Sequence, residues 1–279
     1  VLLIVWAILT EVSVGALFLA GVIPGLLLGL VFVIYCIVSA IRHPDRVPMA
    51  VEEEVPDSPG QRRSEKISGT GIILLIFLVL GGIWAGVFTP TEAAGFGVGG
   101  SIVLGFAKGM GRKEFIEAIL DAGRFTAPVM FLLIAGSMYA KLLAVSGSLD
   151  MIQMLLTDTG LGTLGLLAIM TVVWLLLGAL IDSISDILLT VPIFVPMAMA
   201  VGIDPVAFAI YGIIIIEAGL LTPPLGLLVF TVKSSVPDSS VTLSEIFIGA
   251  VPYWLLMLFV AVLVIVFPGL ATWLPGLMF

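Results

Sequence analysis

Long runs of apolar residues without Asp, Glu, Lys or Arg occupy most of the chain. A helix rises about 1.5 Å per residue and the hydrocarbon core of a bilayer is about 30 Å thick, so roughly 20 such residues can cross it. Runs of this length lie at 12–41, 67–91, 159–181 and 246–279. Shorter runs lie at 93–107, 125–140, 187–203, 205–216 and 218–232. The pattern predicts an all-α, multi-span integral membrane protein in which several apolar segments are too short to cross alone.

The composition supports the same class. Apolar residues make up 61% of the chain and charged residues 11%, against about 25% charged residues in ordinary soluble domains. The formal net charge of −8 argues against nucleic-acid partners, which require clustered Lys and Arg. One cysteine and one histidine exclude a disulfide framework and a Cys/His metal site. The lipid bilayer is therefore the expected environment, and a soluble enzyme is a poor interpretation.

Two clusters of basic residues set the expected orientation. The polar segment 42–66 holds five of the eleven Lys and Arg residues, and 108–124 holds four. Short loops rich in Lys and Arg remain in the cytoplasm. The apolar segments 67–90 and 92–107 then lead across the membrane and back. We therefore expect 42–66 to be a cytoplasmic loop and the link between the two apolar segments to lie on the opposite side.

This link has the sequence of a helix start. Thr89 can be the N-cap, Pro90 the first helical residue, and Glu92 the residue whose side chain returns to the cap. Direct contact with a substrate is the open alternative for the link. Beyond it, Gly95 and Gly99 are spaced to allow close packing against another helix in lipid.

Residues 112–124 mix charged and apolar groups at helical spacing. Phe115, Ile116, Ile119 and Leu120 can lie on the membrane while the charged residues face water. The segment is predicted to be an amphipathic connector helix at the membrane surface, without a chemical role.

The stretch between 182 and 235 is interrupted by prolines, which occur at 192, 196, 205, 223 and 224. Short apolar segments interrupted by Pro or Gly are the best sequence indication of a transporter's binding site. Pro223 and Pro224 provide no N–H groups, so they stop the preceding helix and leave carbonyl groups without donors. We predict a re-entrant helical hairpin over 205–235, with its tip near the middle of the membrane. A proline-kinked spanning helix without a ligand is the alternative.

The predicted tip offers two kinds of ligand. Freed carbonyl groups and the Thr222 hydroxyl provide hard oxygen atoms that suit an alkali cation. The second arm begins after Pro224, and its N-terminal end directs a positive dipole to the place where a carboxylate would sit. Pro223, Pro224 and Gly226 are therefore candidates for the tip that faces a substrate.

Acidic residues near the predicted hairpin have two open interpretations. Asp182 and Asp186, four residues apart, can share a helix face. Asp182 is either an N-cap at the interface or, with Gly178, part of a second helix break that faces the tip and the substrate. Glu217 lies too deep for the interface and must be paired, protonated or in water. For Glu217 we favour a structural partner that steadies the hairpin over a direct ligand.

The two ends of the chain resemble each other. The stretch Leu2 to Leu28 is similar to Leu227 to Leu256, with Gly-x-x-Pro recurring at Gly21 and Gly249 after a three-residue slip. The first ten residues therefore correspond to the outgoing arm of a hairpin, and we expect the chain to begin just after the tip of a first one. Inverted repeats of this kind surround a transporter's site. The repeats predicted are 1–41, as the end of the first, and 67–279, as the second.

Three motifs together resemble the large membrane subunit of TRAP transporters, the DctM-like permeases. They are Gly-Val-Phe-Thr-Pro-Thr-Glu-Ala-Ala at 86–94, Gly-Ile-Asp-Pro at 202–205 and Gly-Leu-Leu-Thr-Pro-Pro-Leu-Gly at 219–226. Phe18 to Gly25 also resembles the Phe-x-Ala-Gly-x-x-Pro-Gly pattern of that family. The resemblance runs from end to end of the chain.

The resemblance implies a sodium-driven secondary transporter that works as an elevator in the bacterial inner membrane. It implies two partners, a small four-helix membrane subunit and a periplasmic substrate-binding protein, and organic acids such as C4-dicarboxylates as substrates. No cofactor besides the coupling sodium ion is expected. Carried over by position, a sodium site would use backbone oxygens of Gly178, Gly219 and Leu225 together with Thr222. Family members commonly have Asn where this chain has Ile215, so this chain lacks a side-chain amide there.

Two rival functions remain open at this point. The first is an ion-coupled carboxylate transporter of similar hairpin architecture that needs no binding protein. The second is an intramembrane enzyme, for which the sequence offers no convincing Ser-Lys, His or paired-Asp arrangement. ATP hydrolysis is not expected because the chain has no G-x-x-x-x-G-K-[ST] motif.

Overall fold

A computed structural model describes residues 1–44, 59–147, 151, 154, 162–236 and 241–278. Within these ranges the chain forms helices joined by short connections, and no strand occurs there. The helices are α1 (Leu2–Thr10), α2 (Val14–Ala20), α3 (Val22–Arg42), α4 (Pro59–Trp84), α5 (Pro90–Ala107), α6 (Arg112–Ser146), α7 (Gly162–Gly178), α8 (Ser183–Ala200), α9 (Pro205–Gly219), α10 (Leu227–Ser235), α11 (Leu243–Val266) and α12 (Gly269–Thr272), followed by a 3₁₀ turn at Pro275–Leu277.

Several of these helices are long and apolar enough to cross a membrane. They are α6, α8, α11 and the stretch Val14–Arg42 that α2 and α3 form together. Three further apolar helices are shorter, namely Gly69–Trp84 within α4, α7 and α9. The prediction of an all-α integral membrane protein that mixes spanning and short apolar helices is confirmed.

The chain divides into two compact units. The first comprises Val1–Tyr35 with Pro128–Leu277, and the second comprises Cys36–Ala127. In the first unit, α9 packs on α7, α8 and α11, and α1 packs on α8. Helix α9 is therefore the central element of this unit, and its ten buried residues have no polar stripe between them. Apart from Glu217 near its end and the Tyr211 hydroxyl, the helix is apolar on every face, and such a helix belongs in a core or in lipid, as the sequence pattern predicts.

Aromatic side chains fill the centre of the first unit. The ring centroids of Trp6 and Trp174 lie 6.2 Å apart, and Phe208 lies 5.4 Å from Trp174. Both tryptophans are fully buried. They approach α9 at Gly212, where a β-carbon would lie 2.6 Å from Trp6 and 2.9 Å from Trp174. The glycine therefore lets two indole rings pack directly on the backbone of α9.

In the second unit, glycines mediate the contact between α4 and α5. A β-carbon at Gly97 or Gly100 would lie 3.1 or 2.3 Å, respectively, from a side chain of α4. Gly95 and Gly99 do not make this contact, because no described atom lies within 4 Å of a β-carbon at either position. Each residue turns a helix by about 100°, so glycines two residues apart occupy different faces. Close packing of Gly95 and Gly99 against another helix stays a prediction.

The predicted start of α5 is confirmed. The Thr89 hydroxyl accepts a hydrogen bond from the N–H of Glu92 at 3.3 Å, and the Glu92 carboxylate accepts one from the N–H of Thr89 at 2.8 Å. Pro90 is the first helical residue. The link is thus a capping box, which satisfies donors that the first turn would leave free.

Two predicted boundaries differ from the structure. Residues 112–124, predicted as a separate connector helix, are the first part of α6, which continues past Pro128 to Ser146. Helix α4 begins at Pro59 and includes the last residues of 42–66, predicted as a loop, while 45–58 lie outside the described residues. In both places, Gln, Glu, Lys and Arg extend the helix beyond its apolar part. These residues are good helix formers, so a charge-free run marks only the apolar section of a longer helix.

Replacing Gly212 by Ala tests the packing of the two tryptophans. In an exposed helix interior, this change stabilises by about 1 kcal/mol. At Gly212 the added methyl group must displace both indoles, so we expect the free energy of unfolding to fall by about 1–3 kcal/mol. The matched control is Gly249→Ala in α11, where no described atom lies within 4 Å of the new β-carbon. Thermal unfolding in detergent measures both, and equal stabilisation by the two substitutions would contradict the packing.

Single cysteines at the start of α4 and in the link after it, at the first residue of α5, test the orientation. Helix α4 has 26 residues and is about 39 Å long, which is long enough for these two positions to lie on opposite sides of a bilayer. In a background without Cys36, we expect a membrane-impermeant thiol reagent to label Gly60→Cys only from the cytoplasm and Pro90→Cys only from the other side. Labelling of both cysteines from the periplasm would show that the proposed order of spans is wrong.

Candidate functional site

The segment 205–235 consists of two short helices joined by a non-helical tip, residues 220–226. Helix α9 has 15 residues and α10 has 9, which correspond to about 22 and 13 Å, so neither crosses a core of about 30 Å. The N–H of Leu228 donates to the carbonyl of Leu220 at 3.4 Å and closes the tip into a loop. The helix is therefore interrupted where the two prolines predict, rather than kinked.

The two arms of this segment are supported by their neighbours. Helix α9 packs on α7, α8 and α11, and α10 packs on α11. Between the described residues of α9 and α10 themselves there are few contacts. Both arms therefore pack on α11, and the tip connects two helices that have little direct contact with each other.

The C-terminal ends of α7 and α9 meet at Gly178 and Gly219. A β-carbon on either glycine would lie 2.9 Å from the α-carbon of the other. One on Gly219 would also lie 3.1 Å from the carbonyl oxygen of Trp174. Both glycines are buried. Two residues that the sequence predicts for one site are thus in backbone contact, and no larger residue fits at either position without a shift of the backbone.

Several carbonyl groups beside this contact have no hydrogen-bond donor among the described residues, although the carbonyl of Gly219 itself accepts from the N–H of Thr222 at 2.8 Å. The carbonyl oxygens of Gly178 and of residues 221–225 accept no hydrogen bond from any described residue. Each helix C-terminus also carries a partial negative charge, because its last carbonyls are unpaired. Two C-terminal ends that meet in an apolar surrounding therefore create a region of negative potential lined by hard oxygen atoms. These donors suit a sodium ion, which binds carbonyl and hydroxyl oxygens.

The Thr222 hydroxyl has two partners in the tip. It donates to the carbonyl oxygen of Ala218 at 3.1 Å and accepts from the indole Nε1–H of Trp254 at 3.0 Å. A hydroxyl oxygen has two lone pairs, so one remains for a cation. Trp254 lies on α11, and no sequence motif points to this tryptophan. Its indole fixes the orientation of the Thr222 hydroxyl, the predicted sodium ligand.

An apolar cavity of about 340 Å³ lies between the tip and α11. The residues that line it are Leu221, Thr222, Pro223, Phe247, Ile248, Val251 and Trp254. Gly226 closes the tip, with φ +52°, and a β-carbon there would lie 2.7 Å from Phe247. This position therefore requires glycine for its conformation and for the contact with α11. Pro223, Pro224 and Leu225 are exposed, and the peptide bond between the two prolines is cis.

Asp182 is the N-cap of α8. Its carboxylate accepts from the N–H groups of Ile184 and Ser185 at 3.0 and 3.1 Å and from the Ser185 hydroxyl at 2.5 Å. The side chain is exposed. The first of the two interpretations, the N-cap, therefore describes its contacts. The second interpretation, a helix break that faces the tip, describes Gly178 instead. Helix α7 ends at Gly178, and this end adjoins the end of α9.

Glu217 joins α9 to the start of α8. Its carboxylate accepts a hydrogen bond from the Ser183 hydroxyl at 2.7 Å. Ser183 is buried and is the first residue of α8. The bond fits a structural partner that fastens the end of α9 to the next helix, and the partner itself, Ser183, lies outside every sequence motif.

Comparisons with known proteins agree with this architecture. Residues 1–270 match the model of the family described as tripartite ATP-independent periplasmic transporter, DctM component. The chain is 33% identical over 280 residues to the C4-dicarboxylate TRAP transporter large permease protein DctM of Pseudomonas aeruginosa, an alignment that covers 99% of this chain and 63% of the relative. It is 32% identical to the sialic acid TRAP transporter large permease protein SiaM of Vibrio cholerae, over 99% of this chain and 63% of the relative.

A third relative, 28% identical, is the ectoine TRAP transporter large permease protein TeaC of Halomonas elongata, again over 99% of this chain and 63% of the relative. The chain thus spans somewhat less than two thirds of the length of these proteins. All three are named as permeases, which favours a transporter component over the intramembrane enzyme. With a family match over nearly its whole length, this multi-pass membrane chain belongs to the DctM component family of the tripartite ATP-independent periplasmic transporters.

Proposed function

We propose that the chain forms part of the permease of a sodium-coupled secondary transporter that takes up organic acids across the bacterial inner membrane. Its partners are a small four-helix membrane subunit and a periplasmic substrate-binding protein. The family match supports the tripartite organisation. Transport proceeds by an elevator movement, in which paired repeats carry the site across the membrane.

One observation carries this proposal. The C-terminal ends of α7 and α9 meet at Gly178 and Gly219, beside the carbonyls of residues 221–225, which have no donor among the described residues. Unpaired backbone groups at membrane depth are tolerated only where they line a cavity or bind a ligand. A bound sodium ion supplies the missing positive partner for these oxygens. Its proposed ligands are the unpaired carbonyl oxygens of Gly178 and Leu225, the hydroxyl of Thr222, and the carbonyl oxygen of Gly219. The Gly219 carbonyl already accepts from the N–H of Thr222 at 2.8 Å and would use its second lone pair.

Sodium and substrate are coupled through the same tip. The relatives are named for C4-dicarboxylates, sialic acid and ectoine, and each of these compounds contains a carboxylate. The exposed prolines Pro223 and Pro224 and the glycine at 226 lead into the N-terminal end of α10, whose dipole favours an anion. Asp182 is not a substrate ligand in this proposal, because its carboxylate is occupied by the first turn of α8.

Replacing Thr222 by Val tests the sodium site. Valine keeps the shape of the side chain and removes one oxygen ligand. The loss of one such interaction in a buried site is worth about 1–3 kcal/mol, so we expect the half-saturating sodium concentration for uptake to rise roughly ten-fold or more. The measurement is a sodium titration of uptake by the full-length permease, reconstituted with its partner subunit and binding protein.

Trp254→Phe is the matched control, because it removes the indole donor and leaves the Thr222 hydroxyl in place. If Thr222 binds sodium, Trp254→Phe raises the half-saturating sodium concentration far less than Thr222→Val does. Equal shifts for both variants would show that the hydroxyl only positions the tip. A sodium curve unchanged in Thr222→Val would exclude Thr222 as a ligand.

A further inference from the structure

A second acidic side chain, Asp186, lies in the core of the first unit and has no role in the sites described above. It is one helical turn beyond Asp182 in α8 and is fully buried, with 0% of its surface exposed. Neither carboxylate oxygen has a hydrogen-bond partner among the described residues. Aspartate is almost never fully buried without a partner.

The local groups that normally satisfy a helical aspartate are engaged elsewhere. Asp182 already caps α8, and the N–H of Asp186 donates to the carbonyl of Asp182 at 3.0 Å. The Thr190 hydroxyl, one turn further along, donates to the backbone carbonyl of Asp186 at 2.7 Å. The same hydroxyl accepts from the indole of Trp174 at 2.8 Å. The Thr190 hydroxyl also lies near the Asp186 carboxylate, but its single proton is donated to the backbone carbonyl, so neither carboxylate oxygen receives it.

Among the described residues, the helices that pack on α8 place no buried basic side chain beside Asp186. Helices α1, α7 and α9, which pack on α8, contain no Lys, Arg or His, and neither does α8 itself. Helix α6 touches α8 where Gly136 meets Leu188. The basic residues of α6 are all exposed, namely Arg112, Lys113, Arg124 and Lys141.

The titratable groups on α8 and on α9, which packs against it, are acidic or neutral. On its own helix the neighbour is Asp182. On α9 they are Glu217, which accepts from Ser183, and Tyr211, whose hydroxyl is bonded to Thr171. The carboxylates of Asp182 and Glu217 are negative or neutral, and the phenol of Tyr211 is neutral, so none of them can offset a negative charge on Asp186. An ionised carboxylate buried in this setting would therefore be unfavourable without a positive partner from outside the chain.

We propose that Asp186 binds a monovalent cation, either a proton or a sodium ion, and is a second cation site of the permease. A proton or a sodium ion neutralises the buried carboxylate in the same way, and both are small enough to reach a closed core. The site is separate from the tip, since it uses a side-chain carboxylate rather than backbone carbonyls. Its role in coupling rests on the proposed function, whereas its occupancy by a cation does not.

Carbodiimide labelling of the purified full-length protein tests the occupancy directly. Dicyclohexylcarbodiimide reacts with protonated carboxylic acids in apolar surroundings, and mass spectrometry locates the modified residue. Asp204, the exposed N-cap of α9, is the internal control. We expect Asp186 to be labelled several-fold more than Asp204 in choline chloride at low pH.

A proton and a sodium ion affect the carbodiimide labelling of Asp186 differently. If sodium binds, sodium chloride suppresses the labelling of Asp186 at constant pH. If a proton alone binds, the labelling decreases as the pH rises and does not respond to sodium. The proposal would be overturned if, at every pH and sodium concentration, Asp186 were labelled no more strongly than Asp204. This measurement requires neither transport nor a substituted protein.

Uptake by Asp186→Asn, with Asp204→Asn as the matched variant, tests the role in coupling. Asparagine caps a helix as well as aspartate does, so Asp204→Asn is expected to behave as the wild type. In Asp186→Asn we expect either the loss of the wild-type pH dependence at saturating sodium or a sodium Hill coefficient that falls by about one. A wild-type pH profile together with a wild-type Hill coefficient would refute the role in coupling. Uptake that is independent of sodium in the wild type would instead refute the proposed function and leave the labelling result intact.

Discussion

The contact between Gly178 and Gly219 is the constraint on which the rest of the site depends. A helix that ends within a membrane leaves its last carbonyl groups unpaired, and here two such ends are brought together with only hydrogen atoms between their α-carbons. The closeness is possible because both residues are glycines and because α9 is held on three sides by α7, α8 and α11. The negative ends of two helix dipoles then act at one place.

Polar groups around this contact fall into two sets. At the start of α8 and of α9, aspartates cap the free N–H groups, and Ser183 donates to Glu217, so these groups have protein partners. At the tip, the carbonyls of 221–225 have no such donor among the described residues. The contrast within a few residues distinguishes groups that hold the structure from groups that are available to a ligand.

The sequence predicted the interruption of the helix and the identity of its tip because proline acts locally. Pro223 and Pro224 end a helix in any context, and the capping box at Thr89 and Glu92 is likewise encoded within four residues. The face of a helix that makes a contact and the length of a helix were predicted less well. The close contact on α5 uses Gly97 and Gly100 rather than Gly95 and Gly99, and α6 continues through a segment predicted as a separate connector.

Partners distant in sequence could not be predicted. Trp254 reaches Thr222 from α11, Ser183 reaches Glu217 from α8, and neither lies in a distinctive pattern. Such pairs depend on how helices pack, which hydrophobic periodicity does not specify when a helix is apolar on every face. The family resemblance assigns Gly178 and Gly219 to one sodium site, which stays a prediction. The contact between their backbones, which leaves no space for a β-carbon, could be recognised only in the structure.

The central claim is that the paired helix ends bind sodium, and the thermal stability of the purified full-length permease tests it most directly. A ligand that binds only the folded state raises its stability by RT ln(1 + [L]/Kd), about 2.7 kcal/mol at one hundred times Kd. We predict that sodium chloride raises the unfolding temperature in a saturable manner, that potassium chloride at equal ionic strength does not, and that Gly219→Ala moves the midpoint to roughly ten-fold higher sodium or beyond. Equal stabilisation by the two salts, or a wild-type midpoint in Gly219→Ala, would contradict the account.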